Sequence, residues 1–337
     1  GLIIFLLMTV NAIVAVYMER KISAFMQDRL GPMEVGIFGF KGGKRFWGGI
    51  GQTIADAVKL LAKEDIIPKD ADRFMMMLAP FIIFIASFIT FIGVPLSNEF
   101  LISDFNIGIL YIIAMGSIGV IGIILAGWSS NNKWSLYGAM RAAAQIISYE
   151  IPIAITLLLP VIISGGLSVH TIVEWQLDHR WIILHSPFTF IGFLIFFISG
   201  IAETNRTPFD IPEAESELVA GWMTEYSGFR WAIFFLSEYA NMLIVSIVSS
   251  VLFLGGWLSP MRLFNIFPES WLFFDGPIWG IFWLFSKALF LIFVMMWFRW
   301  TFPRLRVDQL MYLCWKVFVP FSLINIVAIG IWEIVLG

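Results

Sequence analysis

Eight mainly apolar runs govern what this chain can fold into: 2–18, 74–96, 107–127, 142–164, 181–200, 230–257, 277–298 and 313–335. Most approach the roughly 20 residues that a helix needs to cross a bilayer. Hydrocarbon offers no water to backbone N–H and C=O groups, so only helices and closed barrels span it, and these runs are far longer than barrel strands. The predicted fold is an all-α integral membrane protein, a single polytopic domain over 1–337 with about eight transmembrane helices. At 59% hydrophobic and 13% charged residues, an ordinary soluble domain is excluded. The 34 Phe and 15 Trp suit lipid contact and interfacial belts. The first run is short and the chain starts inside it, without the basic flank or cleavage site of a signal peptide. Native residues before Gly1 are therefore expected.

Charge sets an orientation. Of 21 Lys and Arg residues, 18 fall in the loops 19–73, 128–141, 201–230 and 299–316. Arg180 and Arg262 lie on the other side, and Lys287 lies within a run. The positive-inside rule puts the 18-residue side in the cytoplasm and both termini outside.

The polar residues are concentrated. Glu203, Asp210, Glu213, Glu215, Glu217 and Glu225 place six of the 24 acids within 23 positions, between two apolar runs. Asp210 with Glu213 has capping-box spacing, and a short helix is predicted over about 211–220, stopping at Gly221. Capping and solvation account for Asp210 but not for Glu203, Glu217 and Glu225 together. Crowded carboxylates cannot all stay ionised, so some titrate near neutrality. Glu150, beside Tyr149, and Glu238 lie inside apolar runs, where an acid is by default a functional candidate. Pairing of Glu150 with Arg141 or Lys133 is the plainer alternative. Pro152 cannot donate to the Ser148 carbonyl, which opens the helix to water. Lys287 reads equally well as a snorkelling lysine.

Residues 47–63 read as an interfacial helix, with Ile50, Ile54, Val58 and Leu61 on one face and Gln52, Asp56, Lys59 and Lys63 on the other. Asp56 gains nothing from anionic lipid, so it is expected to face protein or substrate. Arg299, Arg304, Arg306 and Lys316 around Asp308 read as a docking surface for a soluble partner or for headgroups. Cys314 is the one cysteine, which excludes a disulfide within the chain and a Cys-ligated cluster carried by it alone. His170, His179 and His185 match no metal spacing and read as solvated loop residues. No nucleotide-binding or nucleophile-elbow motif is present, and no nucleic-acid partner is expected.

Several blocks stand in order along the chain: ERK at 19–21, QDRLGP…VG at 27–36, QTIADAVKLLAKED at 52–65 and ISYEIP at 147–152. They continue with ETNRTPFDIPEAESELVAGWMTEYSG at 203–228, SEYAN at 237–241 and RWTFPRLRVDQLMYLCWK at 299–316. Together they resemble, over essentially the whole chain, the family of the H subunit of bacterial respiratory complex I (NADH:quinone oxidoreductase), subunit 1 in mitochondria. Met33 and Glu34 depart from the family pattern, which has Asn after the Gly31-Pro32 turn, and this affects that turn alone. The resemblance implies a subunit of the bacterial inner membrane that joins the membrane arm to the peripheral arm and shares a quinone chamber with it. It implies a quinone substrate but no flavin, iron–sulfur cluster or metal bound by this chain. The implied partners are peripheral iron–sulfur and quinone-module subunits, small and antiporter-like membrane subunits, and lipid.

By position, the resemblance places Glu150, Glu203, Glu213 and Glu238 on a proton path, with Tyr149, Asp210, Glu215, Glu217 and Glu225 close by. It places Glu19, Arg20, Arg29, Asp56, Lys59, Arg206 and Phe229 along or beside the quinone chamber. A second class stays open: a quinone-independent ion-translocating or anchoring subunit of a related hydrogenase-type complex. A stand-alone carrier is disfavoured, because neither an inverted repeat nor paired broken helices are visible.

Overall fold

The computed structural model describes residues 1–35, 48–98, 105–212, 215–260 and 276–336. Among them every regular element is helical. Seven helices are long and apolar enough to cross a membrane: α1 (Leu2–Met26), α3 (Arg73–Thr90, extended by a 3-10 turn to Gly93), α4 (Gly108–Ser129), α5 (Lys133–Ser164), α9 (Gly228–Phe253), α10 (Pro277–Thr301) and the stretch Val307–Val335. That last stretch comprises α11 (Val307–Tyr312), a π-helical turn (Leu313–Phe318) and α12 (Val319–Leu336). A shorter apolar helix, α7 (Pro187–Glu203), joins them. Outside the bundle proper lie α2 (Gly51–Ala62), α6 (Val169–Asp178) and the single turn α8 (Glu215–Leu218).

α1 continues to Met26, so Glu19, Arg20 and Lys21 are helical and not part of a loop. All three residue types favour helix. Their charges are met inside the fold, so nothing forces an exit at residue 18. Likewise α5 already begins at Lys133, capped by the Asn132 side chain, which accepts from the Trp134 N–H. It runs through Pro152 and Pro160 for 32 residues, about 48 Å at 1.5 Å per residue. That exceeds the roughly 30 Å of a hydrocarbon core, so the helix projects past the lipid at one end or both.

The Lys- and Arg-rich ends of the helices gather on one side. The Asp72 N–H donates to the Ser129 carbonyl (2.9 Å) and the Leu305 N–H to the Pro208 carbonyl (3.1 Å). The Ser135 hydroxyl donates to the Trp222 carbonyl (3.1 Å), and Arg230 Nε donates to Asp65 (2.8 Å). A large buried core joins α1, α5, α7, α9, α10 and α12. A smaller one packs α3 and α4 against Trp222, Met223, Tyr226 and Phe234 at the Lys- and Arg-rich end. Burial there pushes the Tyr226 phenol up to about 12, so it stays protonated beside Ser129 (3.3 Å).

The acidic stretch is less helical than its sequence predicts. Among the described residues of this stretch, Glu215–Leu218 is α-helical; Val219 then takes a left-handed φ of 66° and a 3-10 turn covers Gly221–Met223. The cause is contact with α5. A Cβ built on Gly138 would lie 2.7 Å from the Gly221 Cα, so the stretch lies backbone-to-backbone on α5 and bends to do so. The capping box rests on Glu213, which lies outside the described residues. Gly138→Val is expected to force the two segments apart at about 1–3 kcal/mol, measured as a lower melting temperature of the purified assembly. An unchanged melting temperature would show that this close approach is not constraining.

Candidate functional site

The most connected buried charge is Glu19, which is 8% exposed. Its carboxylate accepts hydrogen bonds from the Tyr239 hydroxyl and from Arg299 Nη1. Arg206 Nη1 lies 3.3 Å from both Glu19 oxygens. Arg206 Nη2 is 4.0 Å from Glu238, and its guanidinium lies 4.4 Å over the Tyr239 ring. Four elements thus converge: α1, α9, α10 and the turn after α7. Two carboxylates face two guanidinium groups, and this balance is what makes charge tolerable in a low-dielectric bundle.

The turn holding Arg206 is fixed from α5. The Gln145 side-chain amide donates to the Ala202 carbonyl (2.8 Å), to Asn205 Oδ1 (3.2 Å) and to the Phe209 carbonyl (2.8 Å). The charges border a cavity of about 310 Å³ whose other walls include Val16, Met223, Trp231, Phe235 and Trp300. The wall is half charged or polar and half apolar, which suits an amphipathic ligand whose polar end meets convergent polar groups.

A second cavity of about 70 Å³ lies beside Glu150, Glu203, Ser87, Thr90 and Asn241. Ser117 donates to Glu150, and the Ser87 hydroxyl donates to Asn241 Oδ1 (2.7 Å). Glu238 borders the first cavity and Asn241 the second. They are three residues apart on α9, about 4.5 Å along its axis. Glu150 pairs with neither Lys133 nor Arg141 among the described contacts, since Arg141 is engaged by Glu217.

The Ser148 carbonyl, deprived of its helical donor by Pro152, accepts from the Cys314 thiol (3.0 Å) rather than being opened to water. In the opposite sense, the Tyr149 hydroxyl donates to the Leu310 carbonyl (3.0 Å), just before the π-helical turn. The two irregular helices therefore satisfy each other next to Glu150.

The remaining candidates divide. Asp56 pairs with Arg20 (2.6 Å) and accepts from Gln52 (3.1 Å), so it faces protein. Lys59, Arg29 and Phe229 are exposed, as are the α2 residues Ile54, Val58 and Leu61. Asp210 pairs with Arg304 (2.9 Å), and Glu225 accepts from Asn132 (2.6 Å). Glu217, 59% exposed, pairs with Arg141 (2.7 Å) and lines neither cavity. Glu213 and the side chain of Glu215 lie outside the described residues. Within the expected docking surface, Arg299 and Arg304 turn to the acids Glu19 and Asp210, while Arg306, Asp308 and Lys316 stay exposed. Gln145, Tyr239, Asn241, Ser117 and Cys314 were not singled out from sequence. The available signal was modest: each interrupts an apolar run with one small or polar group. Among the described residues, no three His, Cys, Asp or Glu side chains group as a metal site. His170 pairs with Glu174 (3.3 Å), and His185 pairs with Glu333 (2.7 Å).

Comparison with known proteins identifies the class. The family model described as NADH dehydrogenase matches residues 1–330, and the chain belongs to that family. It is 53% identical to the H subunit of NADH-quinone oxidoreductase from Chlorobaculum parvum, covering 95% of this chain and 87% of the relative. It is 48% identical to the protein of the same name from Bacteroides thetaiotaomicron (97% and 87% covered). With that from Anaeromyxobacter dehalogenans it shares 45% identity (96% and 78% covered).

Glu19→Gln leaves the buried Arg206 and the partly buried Arg299 short of a counter-charge and is expected to cost about 3 kcal/mol. Tyr239→Phe removes one neutral donor and should cost about 1 kcal/mol. Equal thermal stabilities of the two variants would show that Glu19 is not the hub.

Proposed function

We propose that this chain is the membrane subunit of an NADH:quinone oxidoreductase in which quinone reduction meets a path of buried acids. The observation that carries this reading is the adjacency of the two cavities along α9. One is large, with Glu19, Arg206 and Glu238 facing Val16, Trp231 and Phe235; the other is small, mostly apolar and bordered by Glu150 and Glu203. Quinone reduction to quinol takes up two electrons and two protons, so a quinone headgroup at the first cavity needs titratable groups nearby. This chain's part is to hold the headgroup between aromatic walls and guanidinium donors. Glu238, Asn241, Glu150 and Glu203 then relay charge into the membrane. The electrons come from redox centres on partner subunits, which dock on the Lys- and Arg-rich side.

That side faces the cytoplasm of a bacterial cell, and both termini face outward, on the positive-inside argument. α2, with its apolar residues exposed and Asp56 turned to Arg20, flanks the cavity where quinone arrives from the bilayer. The relatives' names support this reading over the hydrogenase-type alternative.

Glu150→Gln and Glu238→Gln are expected to leave assembly intact while lowering NADH:quinone turnover about tenfold or more. Protons moved per NADH should fall in parallel. Proton stoichiometry unchanged in both variants would remove these acids from the path. Asp56→Asn should change the KM for short-chain quinones before it changes thermal stability.

A further inference from the structure

From the Lys- and Arg-rich end to the opposite end, α9 borders progressively drier space. Glu238 meets the cavity of about 310 Å³; Asn241, Val245 and Val248 meet the one of about 70 Å³. Val248, Val251 and Leu252 then border a cavity of about 10 Å³ with only apolar side chains around it, among them Leu157 and Ile109. A space that small, with no polar partner in its wall, holds no stable water. Immediately beyond, α9 ends at Phe253, and Gly255 and Gly256 turn the chain at φ values of 76° and 52°.

Into that turn reaches Lys287 from α10. Its ammonium donates to the carbonyls of Leu254 (2.7 Å), Gly256 (2.9 Å) and Leu258 (2.7 Å). It also lies 4.3 Å over the Trp181 ring. Lys287 is 8% exposed, so it does not snorkel. All three of its N–H groups are used, and among the described residues no carboxylate pairs with it.

A neutral amide would bind these carbonyls without the desolvation that a buried cation suffers. What lysine adds is the charge. We propose that Lys287, behind the dry Val251–Leu252 layer, is the electrostatic stop of the proton path. Its ammonium, held by three carbonyls, repels a proton or hydronium that crosses the layer, much as positive groups exclude cations from pores. The acids then exchange protons with the Lys- and Arg-rich side or with neighbouring subunits, and not with the opposite face through this bundle. The proposal rests on the proton-path reading of Glu150 and Glu203.

The test uses the whole complex in sealed liposomes, comparing the parent with Lys287→Gln and Lys287→Arg. Gln keeps two N–H donors for the three carbonyls and loses the charge; Arg keeps the charge and enough donors for all three. Two quantities are measured: decay of an imposed pH gradient without NADH, and protons moved per NADH oxidised. The Gln complex is expected to assemble and oxidise NADH at the parent rate. It should dissipate the gradient several-fold faster and move fewer protons per NADH, while the Arg complex stays as tight as the parent. A Gln complex as tight as the parent overturns the proposal. So does a Gln chain that fails to assemble, because the ammonium is then a folding clamp. A parent complex that oxidises NADH without building a gradient overturns the proton-path reading itself, a separate result.

Discussion

Neutralising charge inside a lipid-facing bundle is the constraint on which this structure depends. Glu19 cannot be buried ionised without compensation, and neither can Arg206 or Arg299. The fold meets both needs at one point, where α1, α9, α10 and the turn after α7 converge on a single carboxylate. The guanidinium of Arg206 also approaches Glu238. A change in charge at Glu19 therefore bears directly on Glu238, a second acid of the same cavity. The two cavities lie close together along α9, because Glu238 and Asn241 are one turn apart on that helix.

Backbone satisfaction is the second constraint, and it explains residues with no charge at all. A proline inside α5 orphans a carbonyl that lipid cannot solvate. The Cys314 thiol fills that vacancy, and the Tyr149 hydroxyl adds a second donor to the Leu310 carbonyl on the partner helix. A weak S–H donor next to a π-helical turn is an economical repair, because it leaves α5 irregular beside Glu150 without leaving it wet. The same logic governs Gln145, whose amide ties down three acceptors in the turn that presents Arg206.

Much of the architecture was legible in the sequence because membranes simplify the reading: long apolar runs have few alternatives to helix. The membrane-embedded acids were legible for the same reason, since Glu150 and Glu238 stand out in apolar surroundings. The boundaries near Glu19 and Lys133 were not. There the helices continue past the lipid on residues that favour helix and find partners elsewhere. Nor were the partners legible. Arg299 lies 280 positions from Glu19, and Cys314 lies 166 from Ser148, and no local pattern encodes such pairs. The acidic stretch misled in a different way. Its capping signals are those of a helix, but contact between Gly138 and Gly221 decides the backbone. Lys287 was undecidable from sequence, because snorkelling and burial demand the same residue in the same place.

The distances in sequence around Glu19 have a consequence for biogenesis. Arg206, Tyr239 and Arg299 follow it by 187, 220 and 280 residues. At synthesis rates of about 5–20 residues per second, Arg299 leaves the ribosome on the order of tens of seconds after Glu19. Until Arg206 emerges, Glu19 is without any of these partners, and until Arg299 emerges it lacks one of them. It must either wait at the water interface or enter the lipid as the neutral acid. The cavity closes only when α10 arrives, so the site is completed by a helix made 280 residues after Glu19. A chain arrested before α10 lacks Arg299 and carries an incompletely compensated carboxylate.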